Sequence, residues 1–245
     1  MIKKIAASLV FTLNLGLAAE AGAVIINWDL TTASSATSTG NANVNALTFN
    51  SGGHSLKVSA YCSGNSDGSG AFGAAHVQQY SGGLGVDSNG SAVCSGDIAS
   101  SSPEHAVDNH DKDNFLLFEF DSVMSAQAFQ LGWLQTDSDV QVWYGPNSGA
   151  AGLNLTGACV SGCANTFSSL GFGTTQTFND VAINTSKTLS PTTGSRYVVM
   201  AGALGNNDDF FKVKNLSAKV PSPSSVALFA LGLLGLGLHQ RRKQA

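Results

Sequence analysis

Phe115-Leu-Leu-Phe-Glu-Phe-Asp121, then Gln127-Ala-Phe-Gln-Leu-Gly-Trp133, then Val140-Gln-Val-Trp-Tyr144 is the stretch that sets the fold class. The first segment is apolar on both faces, as a central strand covered on both sides must be. In the second, Gln127, Phe129, Leu131 and Trp133 fall on one strand face, because side chains alternate with period two. Val140, Val142 and Tyr144 share another face, and Gln135-Thr-Asp-Ser138 reads as the turn between the last two segments.

Further strands are expected on either side. Val24–Leu30 opens the series, and the polar stretch Thr31–Asn45 reads as a loop. Ala46–Asn50 and Ser55–Tyr61 flank Ser51-Gly-Gly-His54 as a hairpin, with Ala75–Tyr80 beyond. Thr175–Ile183, Arg196–Leu204 and Phe210–Lys219 follow the central block. Nine or ten short strands and almost no helical period predict an all-β fold, an antiparallel two-sheet sandwich of jelly-roll type. No long period repeats, which excludes a solenoid.

The ends are punctuated differently. Met1-Ile-Lys-Lys4, the apolar run from Ile5 to Leu17, and Ala21-x-Ala23 form the basic, apolar and small-residue regions of a secretory signal. Signal peptidase is expected to cut between Ala23 and Val24. At the other end Pro221-Ser-Pro223 stops any regular structure. Val226–Leu238 is then a 13-residue apolar run, roughly 20 Å as a helix. That is short for a permanent span of a ~30 Å hydrocarbon core. It suits a transient membrane stop, held on the cytoplasmic side by Arg241, Arg242 and Lys243. The organisation read from this is a signal peptide over 1–23, a β-sandwich ectodomain over 24–219 and a sorting tail over 220–245, with a helix expected in each end segment.

Proline–x–proline, a Leu/Gly/Ala-rich helix and a terminal arginine cluster resemble the PEP-CTERM sorting signal of exosortase substrates. The usual middle residue of that signal is Glu; Ser222 stands here. The resemblance implies exosortase as a processing partner, export through the inner membrane of a Gram-negative bacterium, and delivery to the cell surface or extracellular matrix, with exopolysaccharide a candidate partner. A second ordered pattern, Gly83-Leu-Gly-Val86, His105-Ala-Val-Asp-Asn109, Leu131-Gly-Trp133, Asp137-Ser-Asp139 and Asp208-Asp-Phe-Phe-Lys-Val-Lys214, is similar to that of an exosortase-dependent surface protein family. That resemblance implies a β-rich ectodomain and no particular reaction.

Charge agrees with export. The whole chain carries −4; taking off both ends removes five of 12 basic residues and one of 16 acidic ones, leaving a net charge near −8. A nucleic-acid partner would require a basic footprint, so that class is excluded. The four cysteines, Cys62, Cys94, Cys159 and Cys163, are expected to form two disulfides in an oxidising compartment. Three pairings are open, and loop economy favours 62–94 with 159–163. A zinc site at Cys159 and Cys163 lacks a second ligand pair.

Nine acidic residues lie between Asp97 and Asp139, opposed only by Lys112. Asp108, Asn109, Asp111 and Asp113 place oxygens at close intervals, as a hard cation such as Ca²⁺ requires. An EF-hand is rejected, because Asn114 and Phe120 occupy its Gly and Glu positions. The competing reading is turn chemistry, since Asp and Asn side chains bond their own backbone. No catalytic residue is assigned. Gly64-Asn-Ser-Asp-Gly68 matches a nucleophile-elbow pattern but lacks the helix that must follow. Trp133 and Trp143 read as core, with a sugar-stacking platform as the alternative. The expected function is therefore a non-enzymatic surface or matrix interaction protein, with a calcium-dependent carbohydrate-binding module as alternative and a secreted hydrolase, using acids such as Glu104 and Asp108, as a weaker third.

Overall fold

The computed structural model describes residues 23–38, 44–65, 70–89, 91–95, 97, 105–145, 152–153, 155–156, 166–173, 175–191, 193–205 and 207–221. The signal segment up to residue 22, Glu104, Cys159, Cys163, Pro223, Arg241 and Arg242 lie outside these residues. Ile25–Val220 forms one compact unit.

The strands are β1 (Ile25–Asp29), β2 (Ser35–Ser38), β3 (Val44–Ser51), β4 (His54–Ser63), β5 (Phe72–Tyr80), β6 (Gly83–Asp87) and β7 (Val107–Asp108). They continue as β8 (Asn114–Thr136), β9 (Val140–Tyr144), β10 (Thr175–Phe178), β11 (Ser186–Thr188), β12 (Ser195–Gly202) and β13 (Asp209–Lys219), with one short helix among the described residues, α1 (Thr166–Ser169). The fold is all-β, and neighbouring strands pair antiparallel, as the alternation predicted. In one sheet β13 is central, pairing with β1, β6, β7 and the second half of β8. The other runs β2-β3-β4-β8-β12-β9-β10 and uses the first half of β8. Both β5 and β8 pass from one sheet to the other. Pairing therefore runs β8–β13–β6–β5–β4 and back to β8, which leaves these five strands with no open edge between them.

Three expectations are corrected. Residues 115–121 and 127–133 belong to one 23-residue strand, β8, not two. Ser122–Ala126 contains no Gly or Pro to break it; Asp121, Ser122 and Val123 are exposed where β8 changes sheets, while Met124 and Ala126 are buried again. The polar stretch expected to be a loop holds β2, recruited by pairing with β3. Short strands such as β7 and β11 carry too few residues for a visible period, which is why the structure has more strands than predicted. The β3–β4 hairpin turns on Gly52 and Gly53, both at positive φ (56° and 81°), the conformation a two-residue hairpin turn demands.

The main core fills the space between the sheets with Trp28, Phe49, Phe118, Phe120, Phe129 and Phe211 among others. A second cluster, with Tyr61, Phe72, Phe115, Trp143, Phe167 and Phe172, covers the far side of the β4–β8–β12–β9 sheet. Each such aromatic contributes about 1.5–3 kcal/mol when fully buried. The expected Cys62–Cys94 disulfide is present, with Cα atoms 6.3 Å apart. It clips the end of β4, where Cys62 faces Asn114 at the start of β8. Among the described residues no helix is long and apolar enough to cross a membrane.

Candidate functional site

Five segments singled out in the sequence, spread over more than a hundred residues, meet around β13. Val213 faces Leu84 of β6, Phe211 faces Val107 of β7, and Lys212 faces Trp133 of β8. Asn109, just past β7, is completely buried and joins this group to β13. Its Nδ2 donates to Asp209 Oδ2 at 2.6 Å and to the Ala203 carbonyl at 2.9 Å, while its Oδ1 accepts from the Asp209 N–H at 3.0 Å. Asp209, also fully buried, accepts further from the N–H groups of Asp139 (2.6 Å) and Ala203 (3.2 Å). Burial pushes the Asp209 carboxyl up to about 6, with Asp139 and Asp137 adding to the rise and the Asp139 and Asn109 donors opposing it. This lock ties three non-adjacent loops together through one carboxylate and one amide.

The four residues of the expected cation set, Asp108, Asn109, Asp111 and Asp113, take different partners. Asn109 is committed to Asp209. Asp108 is buried and accepts from Asn114 Nδ2 at 3.2 Å and the His110 N–H at 3.3 Å. The same Asn114 amide donates to Asp97 at 3.0 Å, and Asp97 also accepts from the Ser88 hydroxyl. Burial raises both carboxyls, Asp108 well above the ordinary range, and the charge of Asp97 adds to the effect on Asp108. Asp113 is buried and accepts from Ser63 Oγ at 3.4 Å. Asp111 stands half-exposed at φ 60° beside His110 Nδ1, 3.3 Å away. Among the described residues, the acidic groups close enough to share a cation are Asp137 with Asp208 and Asp209, and Asp137 with Asp139 and Asp180, each with oxygens within 4.8 Å. None of these five acids was in the expected set of Asp108, Asn109, Asp111 and Asp113. The Asp208-Asp209 doublet and Asp137-x-Asp139 are visible in sequence, but their meeting depends on a bridge between Asp137 and Asp209 that no spacing rule supplies.

β13 ends at Lys219, and the chain from that residue onward carries the deciding comparison. Residues 219–243 match the PEP-CTERM protein-sorting motif. The chain carries a PEP-CTERM sorting motif at its C-terminal end. The motif marks it as an exported, exosortase-processed, surface-associated protein of a Gram-negative bacterium. No curated protein and no solved structure matches the chain. The sorting motif starts on the last residue of the last strand, where Lys219 faces Ile25 of β1 across the ladder.

The two tryptophans considered as a platform part company. Trp143 is buried in the second cluster, its ring 4.8 Å from that of Phe167. Trp133 is half-buried on the outer face of the β13 sheet. The reason is a bulge: Lys212 pairs with Trp133 but Val213 pairs with Leu131, so Gly132 is the extra residue and alternation is reset. A Cβ at Gly132 would lie 2.4 Å from the Gly82 carbonyl oxygen, so glycine is what lets the β5–β6 turn close over this bulge.

Proposed function

We propose that the protein is a non-catalytic interaction module displayed at the cell surface or in the surrounding matrix. The observation that carries this reading is the sorting motif placed directly after the final strand of a β-sheet domain. The acids of the domain support it: buried Asp209 and Asp108 and half-buried Asp97 accept hydrogen bonds from backbone and amide donors, an arrangement that fixes loops in place. In this reading signal peptidase releases the N-terminus at Val24 and exosortase handles the tail. Intact mass spectrometry of the surface fraction from an exosortase-bearing host tests it. A species beginning near Val24 and lacking the Leu/Gly run is expected; full-length chain held in the cytoplasm overturns the reading.

A further inference from the structure

The outer face of the β13 sheet carries an ammonium group held between two aromatic rings. Lys212 Nζ lies 4.0 Å from the Tyr80 ring centroid and 4.5 Å from that of Trp133. His105 stacks on Tyr80 at 6.2 Å, and Phe210, two residues before Lys212 on β13, lies on the same side with its ring 5.9 Å from that of His110. Gln78, two residues before Tyr80 on β5, lies on this face, with its Nε2 donating to Asp87 Oδ2 at 3.3 Å. All of these side chains are half-buried. Lys212 makes no salt bridge among the described residues, although acids outnumber bases in this domain and Lys57 and Arg196 both reach Glu119. Burial also draws the Lys212 ammonium below its ordinary pKa, the sign of a cation short of solvation.

We propose that this face binds an acidic polysaccharide, with pyranose rings lying against Trp133 and Tyr80 and a sugar carboxylate pairing with Lys212. The inference rests on the surface-display reading and names the partner class. Sugar rings present C–H faces that lie against aromatic rings and hydroxyls that bond amides, and a carboxylate supplies the counter-ion Lys212 lacks. The face is unlike an apolar docking patch or a membrane-inserting surface: the exposed large hydrophobics of the described residues are Val24, Ile25, Val123 and Ile183, none of them in this group.

Affinity electrophoresis of the purified mature protein through gels containing polygalacturonate, its methyl ester or an uncharged glucan tests the proposal, with anionic vesicles in a parallel flotation assay. Retardation by polygalacturonate is expected to exceed that by the ester by about tenfold or more, the usual worth of a charge-assisted hydrogen bond. Lys212→Gln removes that preference, Lys212→Arg keeps it, and Trp133→Ala weakens binding to acid and ester alike, each with an unchanged fold by circular dichroism. Equal retardation of the wild type by acid and ester, no retardation by any glycan, or flotation with vesicles instead would overturn the proposal. Because the protein used is already processed, any of these failures leaves the display reading standing.

Discussion

The two halves of β8 are one strand in two environments. From Asn114 to Phe120 every residue is buried: Phe115 and Leu117 enter the second cluster while Leu116, Phe118 and Phe120 enter the main core. Beyond the change of sheet, Phe129 and Leu131 still point inward, but Gln130 is half-buried, and Trp133 and Gln135 lie toward solvent. A strand covered on both sides has no surface to offer a partner. The half covered on one side carries the bulge and Trp133, which stands beside Lys212 of β13 and near Tyr80 of β5. Scaffold and candidate recognition face are thus segregated along a single strand.

The contrast can be broken in order of effect. Phe115→Ala should cost about 3–5 kcal/mol, since its buried ring contacts those of Phe72 (4.9 Å) and Phe167 (5.1 Å), and urea unfolding measures it. A cost no greater than that of an exposed-face substitution would end the claim that the first half is sealed. Next, Asn109→Asp sets a second carboxylate against Asp209 and should cost on the order of 3 kcal/mol at neutral pH. Both acids then titrate higher in the folded than in the unfolded chain, so folding takes up protons and stability falls as pH rises. The deficit against wild type should shrink as pH drops through about 6 toward 4, the range over which burial already holds Asp209 protonated. A pH-independent deficit would mean that the lock acts through shape alone. Smallest of all, Trp133→Ala should lower stability by about 1 kcal/mol or less, the scale of exposed cation–π contacts, with the unfolding midpoint nearly unchanged.

Much of this was legible in the residues. Two-sided apolarity at Phe115–Phe120, the Gly52-Gly53 hairpin and the Cys62–Cys94 pairing all follow from local patterns, and each is present. The continuity of β8 was not legible, because the exposed Asp121-Ser-Val at its change of sheet looks the same as a loop. The side on which Trp133 lies was lost for a sharper reason: alternation carries it inward with Phe129 and Leu131, and one extra residue at Gly132 reverses it. Asn109 and Asp209 are one hundred positions apart, so their hydrogen bonds belong to topology and not to spacing. The acidic segment was visible as a cluster of carboxylates, yet which of them are buried and which share a neighbour depends on those same long-range pairings.

Since Ile25 and Lys219 sit opposite one another in register, the domain is close to being a ring with a single cut. A short turn written between them would convert β13 and β1 into an ordinary hairpin, and the chain could be reopened at Gly52-Gly53 without disturbing a ladder on either side of the new join. Sequence order would change while every strand kept its neighbours. The sorting tail would then follow β3 in the chain instead of β13.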